Sequence, residues 1–349
     1  MKKFWIILMS ILGVLLVIGV LSWNVIRAYG KHNIMSQVEV SHPDIETKET
    51  QETPQEEKSK WKDGWIKYGD KIYEYDENLI TFLFMGIDKD GKVKEVAEGT
   101  NGGQADALFL MVLDQYEQKI TIVGINRNTM ADIDVYNENG DYVTTTKAQL
   151  AVQHGFGNGM EESCEYQVDA VRKLFYNLPV HGYAAINMKA IPVINDTVGG
   201  VNVQALSDVR NDKDVLIIKK DSAVHLMGKE AYWYVRDRDM SEFASADMRL
   251  ARQKQYLTAF VAQAKAAVKD DAGVISQLYN DITPYMVTNV TFDEIAYLAP
   301  EVVSYSLNAN GIRMIPGETV MGEEFEEYYV DEEGLYDLII DVFYKEVVK

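Results

Sequence analysis

The chain has 349 residues, a formal net charge of -20 and a hydrophobic content of 47%. A surface this acidic repels nucleic acids and other polyanions, so the composition disfavours nucleic-acid binding. The length and hydrophobic content suffice for one large core or two modest ones. The single cysteine, Cys164, cannot form an internal disulfide, so the folded part depends on its core.

The N-terminal segment from Phe4 to Asn24 carries no charge and follows Lys2 and Lys3. About 20 apolar residues in a helix span roughly 30 Å, the thickness of a hydrocarbon core. We therefore expect a single-pass cell-membrane protein with residues 1–3 in the cytoplasm, an anchor at 4–24 and an extracytoplasmic C-terminal domain. A cleaved secretory signal is the alternative, but its apolar core would be shorter and would end in a small-residue cleavage site.

The segment after the anchor is polar. Residues 25–60 are predicted to be an extracytoplasmic linker, and 36–60, rich in Glu, Thr, Gln, Ser and Lys, a disordered stalk. The folded domain is expected at 61–321. The Glu-rich segment 322–349 is interpreted as a solvated terminal helix and strand.

Three continuous apolar runs are predicted strands: Ile80–Met85, Ala107–Leu113 and Ile120–Ile125. Continuous apolarity indicates strands that are covered on both faces, as in an α/β layered fold. The predicted helices are Val168–Tyr176, Met188–Val198, Gly228–Tyr234 and Ala246–Val268. The last helix carries an apolar stripe that includes Leu250 and Leu257, which we expect to be core.

Charged side chains follow the predicted strands. Asp88 and Asp106 lie near strand ends, where open α/β sheets bind ligands, and two carboxylates can share Mg²⁺, although Asp after glycine is also common in turns. Arg127 directly follows the third strand. Arg236 and Arg238 would face one pocket on an extended segment, with a pyrophosphate between their charges. The competing interpretation makes each arginine a surface ion-pair partner.

Several motifs occur in a fixed order along the chain. They are Leu83-Phe84-Met85-Gly86-Ile87-Asp88, Ala105-Asp106-Ala107-Leu108, Ile125-Asn126-Arg127-Asn128-Thr129, Val198-Gly199-Gly200-Val201, Tyr234-Val235-Arg236-Asp237-Arg238 and Asp247-Met248-Arg249-Leu250-Ala251-Arg252-Gln253. In this order the chain resembles the LytR-CpsA-Psr family over roughly Ile80 to Val268. The resemblance implies a membrane-anchored α/β/α layered domain with a central mixed sheet and an apolar tunnel for a polyprenyl lipid.

The resemblance also implies an activity. Family members transfer a glycopolymer from a polyprenyl pyrophosphate carrier to peptidoglycan, with Mg²⁺ at the diphosphate. Matched position by position, Asp88 and Asp106 are the expected metal ligands, and Asp106 and Arg127 the expected catalytic residues, with Asp106 accepting the proton of the attacking hydroxyl. The expected phosphate-binding residues are Arg127, Lys147, Arg236, Arg238, Arg249 and Gln253.

Two positions depart from the family pattern. Gln104 stands where the family usually has arginine, and Asn128 stands where it has aspartate. Both changes favour an alternative from the binding class, a non-catalytic polyprenyl-phosphate binding or assembly protein of the envelope. A metal-dependent lipid pyrophosphate hydrolase, which would use water in place of a sugar hydroxyl, is the other alternative.

Overall fold

The computed structural model describes residues 24–38, 40–96, 101–239, 242, 245–307 and 311–347. Apart from Asn24, the predicted anchor at Phe4 to Asn24 lies outside these residues. Among the helices of the described residues, none combines the length and apolarity needed to cross a bilayer. The anchor stays a prediction.

The elements alternate between strands and helices along the chain. In chain order the strands are β1 Ile66–Tyr68, β2 Lys71–Tyr75, β3 Leu79–Ile87, β4 Ala105–Asp114, β5 Lys119–Ile125, β6 Met130–Tyr136, β7 Tyr142–Gln149, β8 Gly182–Asn187, β9 Val201–Gln204, β10 Val209–Arg210, β11 Leu216–Ile218, β12 Ala223–Leu226, β13 Met286–Thr288, β14 Ile312–Met314, β15 Gly317–Met321, β16 Glu326–Val330 and β17 Tyr344–Glu346. The helices are α1 at 24–36, α2 Lys48–Glu52, α3 Gln55–Lys58, α4 Glu161–Leu174, α5 Ile191–Thr197, α6 Lys229–Arg236, α7 Ser245–Asp270, α8 Gly273–Ile282, α9 Phe292–Ser304 and α10 Glu332–Phe343. Short 3₁₀ turns occupy Leu150–Phe156, Met188–Ala190 and Thr283–Tyr285.

A six-stranded sheet in the order β13-β8-β3-β4-β5-β14 forms the centre. β4 is antiparallel to β3 and β5, while β8 is parallel to β3 and β14 is parallel to β5. The predicted mixed sheet is therefore confirmed. The three predicted strands are β3, β4 and β5, each extended by one or more residues beyond its apolar run.

Both faces of the sheet are covered because successive side chains of a strand point to opposite faces. On one face Leu83, Leu108 and Val123 belong to a buried cluster completed by α4 and α10. On the other face Phe82 and Phe109 belong to a second cluster, which α7 and α9 cover. The central strands are mainly apolar because most of both faces is covered.

The segment predicted to be a disordered stalk is packed against the domain. Ile45 is buried in the first cluster, and the backbone N–H of Lys67 donates to Thr50 Oγ1 at 2.7 Å. Before it, α1 buries Ile34 completely, and Arg27 pairs with Glu301 of α9 at 2.7 Å. The stalk prediction is wrong for 40–53, because threonines there hydrogen-bond backbone groups of the domain and a few apolar residues pack against it. Residues 55–58 form α3, which buries no residue.

Two other predictions of burial need correction. The C-terminal helix is not merely solvated, because α10 buries Leu338, Ile339 and Phe343 in the first cluster. The α7 stripe is not fully core, because Leu250 and Leu257 are only half-buried against the second cluster. The buried residues of α7 lie mainly in its N-terminal half, where its polar side chains meet the strand ends.

Candidate active site

A β-bulge in β4 places Asp106. Gly86 of β3 pairs with Ala107 and the next residue, Ile87, pairs with Ala105, so Asp106 is an extra residue without a partner in the ladder. A bulge turns the extra side chain out of the regular alternation. Gly86 permits the close approach, because a Cβ there would lie 3.0 Å from that of Ala107.

The carboxylate of Asp106 lies between two arginines. Arg127 Nη1 is 2.9 Å from Asp106 Oδ1, and Arg249 Nη1 is 3.1 Å from Oδ2. All three side chains are largely buried, with exposed fractions of 13% for Asp106, 14% for Arg127 and 6% for Arg249. The bulge therefore joins the end of β5 to α7 through one carboxylate.

The turn that carries Arg127 is held by buried amides. β5 ends at Ile125, and Asn126 Oδ1 accepts from the backbone N–H of Asn128 at 2.9 Å. Asn126 Nδ2 donates to Asp247 Oδ1 at 2.6 Å, and Thr319 of β15 donates to the other oxygen of Asp247 at 2.7 Å. Asp247 thus fixes the turn, the start of α7 and β15 relative to one another.

Further arginines surround Arg249. Burial lowers the pKa of Arg249 to about 10, and Arg127, Arg238 and Arg252 add to this lowering while Asp106 opposes it. Arg238 pairs with the buried Glu326 of β16 at 2.6 Å. The site therefore gathers four guanidiniums inside a chain whose net charge is -20.

Several buried donors of this cluster are short of acceptors. Within the described part of the chain, Arg127 Nε and both Nε and Nη1 of Arg252 have no hydrogen-bond partner. Unpaired buried donors are costly, so a site that holds them is suited to a ligand rich in acceptor oxygens. A phosphate group supplies such oxygens to planar guanidiniums.

Asp88 lies beside this cluster. Its Oδ1 accepts from the backbone N–H of Gln104 at 2.6 Å, and Gln104 Oε1 accepts from Arg127 Nη2. Desolvation of the carboxylate raises the pKa of Asp88, the nearby Asp106 raises it further, and the Gln104 and Arg127 contacts oppose the rise. A cation placed between the two carboxylates would relieve their repulsion.

The donor set fits Mg²⁺ only in part. Mg²⁺ commonly takes one or two protein carboxylates and completes its octahedron with substrate phosphates and water. Asp88 and Asp106 supply that number of carboxylates, but both oxygens of Asp106 lie beside arginines. The described residues contain no cluster of three or more His, Cys, Asp or Glu side chains that could hold a metal by themselves.

Three of the predicted phosphate-binding residues lie differently from the prediction. Arg236 is the last residue of α6 rather than part of an extended segment, and its half-exposed side chain pairs with Asp212 at 2.5 Å. Lys147 is an exposed residue of β7 that pairs with Asp132 at 3.1 Å. Gln253 is buried and donates to the backbone carbonyl of Val235 at 3.2 Å, so its amide holds the end of α6.

The structure also gives contacts to three residues that are not among the predicted site residues. Arg252 donates to the carbonyl of Asp237, Glu326 holds Arg238, and Asp247 holds the Arg127 turn. Arg252 and Asp247 are within a quoted motif, so the motif itself carried the signal. Glu326 lies 88 residues from Arg238, and no local pattern indicates their pairing.

An apolar layer adjoins the charged cluster. It consists of Phe84, Ala107 and Met111 from β3 and β4 and Leu250 and Leu257 from α7, all half-buried and packed against the second cluster. Ala107 directly follows Asp106, and Leu250 directly follows Arg249. The charged groups therefore lie at one end of an incompletely closed apolar surface between the sheet and α7.

Comparison with known proteins agrees with this architecture. TagU of Bacillus cereus, a polyisoprenyl-teichoic acid--peptidoglycan teichoic acid transferase, is 26% identical over 261 residues, which cover 74% of this chain and 76% of that protein. The crystal structure of B. subtilis TagV matches 76% of this chain and 96% of its own, with 20% identity and a TM-score of 0.58. TagT bound to LI-WTA matches 77% of this chain and 92% of its own, with 18% identity and a TM-score of 0.54.

At these identities the solved structures show a shared fold. The model of the LytR_cpsA_psr family matches residues 35–338, most of the chain and all of the site described above. The chain belongs to the LytR_cpsA_psr family.

Proposed function

We propose that this protein is a membrane-anchored phosphotransferase that moves a glycopolymer from a polyprenyl pyrophosphate carrier to peptidoglycan outside the cytoplasm. Its relative TagU is named as a transferase that joins teichoic acid to peptidoglycan. The observation that carries the proposal is the arginine cluster around Asp106 at one end of the apolar layer. A lipid pyrophosphate has the same division between a charged head and an apolar chain.

The two parts of the carrier match two parts of the site. Arg127, Arg238, Arg249 and Arg252 would contact the pyrophosphate, because guanidiniums bind phosphate oxygens through paired hydrogen bonds. The isoprenyl chain would run along Phe84, Met111, Leu250 and Leu257 and remove their remaining surface from water.

The reaction requires stabilisation of charge more than covalent catalysis. The oxygen of the acceptor hydroxyl forms a bond to the phosphorus on the glycan side and its proton passes to a carboxylate oxygen of Asp106. The P–O bond of the pyrophosphate bridge breaks, and lipid phosphate leaves with the electron pair of that bond. Arginines held in place before substrate binds stabilise that charge without reorganisation. Asp106 Oδ2 accepts a hydrogen bond from Arg249, whereas Oδ1, 2.9 Å from Arg127, has no hydrogen-bond partner within the described residues. Asp106 would therefore position the arginines and keep one oxygen for the predicted role of proton acceptor.

Mg²⁺ belongs to the same proposal. Asp88 and Asp106 would hold it, and it would neutralise charge on the bound diphosphate. A cation would stabilise the ionised carboxylate of Asp88, since desolvation and the charge of Asp106 both disfavour that form.

Binding without transfer is the second candidate function. Gln104 accepts a hydrogen bond from Arg127 at a position where an arginine would contact phosphate, and Asn128 is a buried amide that cannot accept a proton. Both features leave lipid recognition intact while weakening catalysis.

One incubation separates these functions. The full chain in detergent is mixed with a lipid-diphosphate glycan, Mg²⁺ and peptidoglycan, and the products are separated by mass. Glycan on peptidoglycan supports the transferase, free glycan phosphate indicates a hydrolase, and unchanged but bound lipid indicates a binding protein.

The arginine dependence of donor binding is measured in parallel. Arg127→Ala should weaken polyprenyl pyrophosphate binding at least tenfold, because it removes charge-assisted hydrogen bonds of about 1.5–3 kcal/mol. The control is Arg210→Ala. Arg210 lies on β10, is exposed and pairs with Asp214 in the turn that follows. If both variants bind polyprenyl pyrophosphate with the same affinity, Arg127 does not contact the donor and serves only as an ion-pair partner.

A further inference from the structure

A cavity separate from the phosphate site lies between α4, α10 and two hairpins. It has a volume of about 470 Å³, within the roughly 300–1,000 Å³ typical of small-molecule sites. The β6–β7 hairpin, the end of α4 and β16 enclose it. Its lining includes Met130, Asp132, Lys147, Lys173, Tyr176 and Tyr329. Lys147, which the sequence predicts for the phosphate site, lies here instead.

The charges of this cavity are balanced. Lys147 pairs with Asp132 across the hairpin at 3.1 Å, and Lys173 pairs with Asp134 at 2.6 Å. Asp134 itself does not line the cavity, so the charged lining residues are two lysines, Lys147 and Lys173, and two carboxylates, Asp132 and Glu332. The cavity therefore lacks the excess of guanidiniums that suits the first site to phosphate, and a neutral ligand with many hydroxyl groups fits it better.

Two tyrosine rings face this cavity. Tyr329 is 48% exposed, and its hydroxyl donates to Glu327 at 2.7 Å, which holds the ring. The ring of Tyr176 stacks on Tyr336 with centroids 5.1 Å apart. A tyrosine offers an apolar face and a polar tip, and a sugar ring offers an apolar C–H face and a polar edge, so the two are complementary.

The backbone at Tyr176 is strained. Tyr176 and Asn177 follow α4 with φ of 55° and 59°, the left-handed region where a helix usually ends on glycine. A bulky side chain is disfavoured there because its Cβ crowds the backbone. The contacts of the ring hold this conformation, because the ring stacks on Tyr336 and packs against the first cluster while it lines the cavity.

The two sites are linked by neighbouring strands. Met130 follows Arg127 by three residues, and Tyr329 follows Glu326 by three residues. A bridge between Thr129 and Tyr328 holds the two strands side by side. Three residues span at most about 10 Å of backbone, so Met130 and Tyr329 lie within that distance of Arg127 and Glu326, respectively.

We propose that this cavity binds a sugar residue of the acceptor glycan and so positions its hydroxyl group toward the phosphate site. The choice of ligand rests on the proposed function, which requires a peptidoglycan acceptor. Balanced charges, two tyrosine rings and the short distance to the arginines carry the assignment.

The test uses the full chain in detergent and a soluble oligosaccharide of alternating N-acetylglucosamine and N-acetylmuramic acid. Isothermal titration calorimetry measures its Kd for the wild type, Tyr176→Gly and Tyr329→Ala. Each variant should raise the Kd about tenfold through loss of one stacked ring. Tyr176→Gly is compatible with the left-handed backbone but removes a ring that packs on Tyr336, so circular dichroism must show a native fold before its Kd is compared with that of Tyr329→Ala. Tyr116→Ala, which removes an 80% exposed ring elsewhere, is the matched control.

Polyprenyl pyrophosphate binding is measured on the same samples. Two separate sites are supported if the ring variants lose oligosaccharide binding and keep lipid binding. Arg127→Ala should then lose lipid binding and keep oligosaccharide binding. No oligosaccharide binding by the wild type, or an unchanged Kd in both ring variants, would overturn the inference. Ring-dependent oligosaccharide binding without any lipid binding would uphold this cavity while refuting the proposed function.

Discussion

Replacement of Asp106 by asparagine tests the centre of the site. The change removes a buried negative charge that faces Arg127 at 2.9 Å and Arg249 at 3.1 Å, and it leaves the two guanidiniums uncompensated. Breaking a buried ion pair by removing one partner costs about 3–5 kcal/mol. With an unfolding entropy of about 2.1 cal/mol/K per residue, a chain of 349 residues should lose roughly 4–7 °C in Tm.

An anion should reverse much of this loss. Inorganic pyrophosphate can take the place of the missing carboxylate between the arginines, and a ligand at 100 times its Kd stabilises the folded state by about 2.7 kcal/mol. Differential scanning fluorimetry of the metal-free variant should therefore show a Tm increase of about 4 °C with pyrophosphate. The wild type should respond less, because its own carboxylate already occupies the arginines.

The control is Asp212→Asn, which breaks the exposed pair with Arg236 at 2.5 Å. Exposed ion pairs contribute about 0–1 kcal/mol to stability, so this variant should have nearly the same Tm as the wild type. The proposed role of Asp106 is refuted if Asp106→Asn has the same Tm as the wild type and the same Tm increase with pyrophosphate. Asp106 would then not hold the arginines, and the described geometry of the site would be wrong.

Three further changes test other groups. Burial lowers the pKa of His154 and of His181 to about 4, so the unfolded state binds more protons between pH 6.5 and 4 and stability falls as the pH drops through that window. The loss should be about 3 kcal/mol per histidine at pH 4, and urea unfolding of His154→Gln should lack one of the two contributions. Asp88→Asn should abolish the Mg²⁺ enhancement of lipid pyrophosphate binding in calorimetry and spare metal-free binding through the arginines, because it removes one carboxylate of the proposed Mg²⁺ site. Gln104→Arg should lower the Tm of the ligand-free protein through repulsion with Arg127 and tighten lipid pyrophosphate binding about tenfold, whereas unchanged values for both would separate Gln104 from the site.

The parts of the fold that depend on local pattern were predictable from the sequence. β3, β4 and β5 are continuous apolar runs because both faces of the sheet are covered, and α7 shows a helical period along its length. β13 and β14 were not predicted, since each has three residues and pairs with a strand far away in the chain. Short edge strands take their structure from the partner rather than from their own composition.

The candidate site was predictable to a similar degree. Asp106, Arg127 and Arg249 come together as the motifs predict. Arg236 does not join them, because α6 continues through it and a helix turns its side chain away from Arg238. The bulge at Asp106 depends on the pairing of β3 with β4, and the partner of Arg238 depends on a hairpin near the C-terminus, so neither has a local signal.

The departures from the family pattern have a physical consequence for the free site. An arginine at position 104 would repel Arg127 until a phosphate arrived, whereas Gln104 accepts a hydrogen bond from Arg127. Arg127 is therefore held by Asp106 and Gln104 together before any ligand binds. Such a site loses one contact to the diphosphate but needs less reorganisation to receive it, and its arginines stay in place after the lipid phosphate leaves. Gln104 therefore lowers the affinity for the carrier and makes the arginine cluster more rigid.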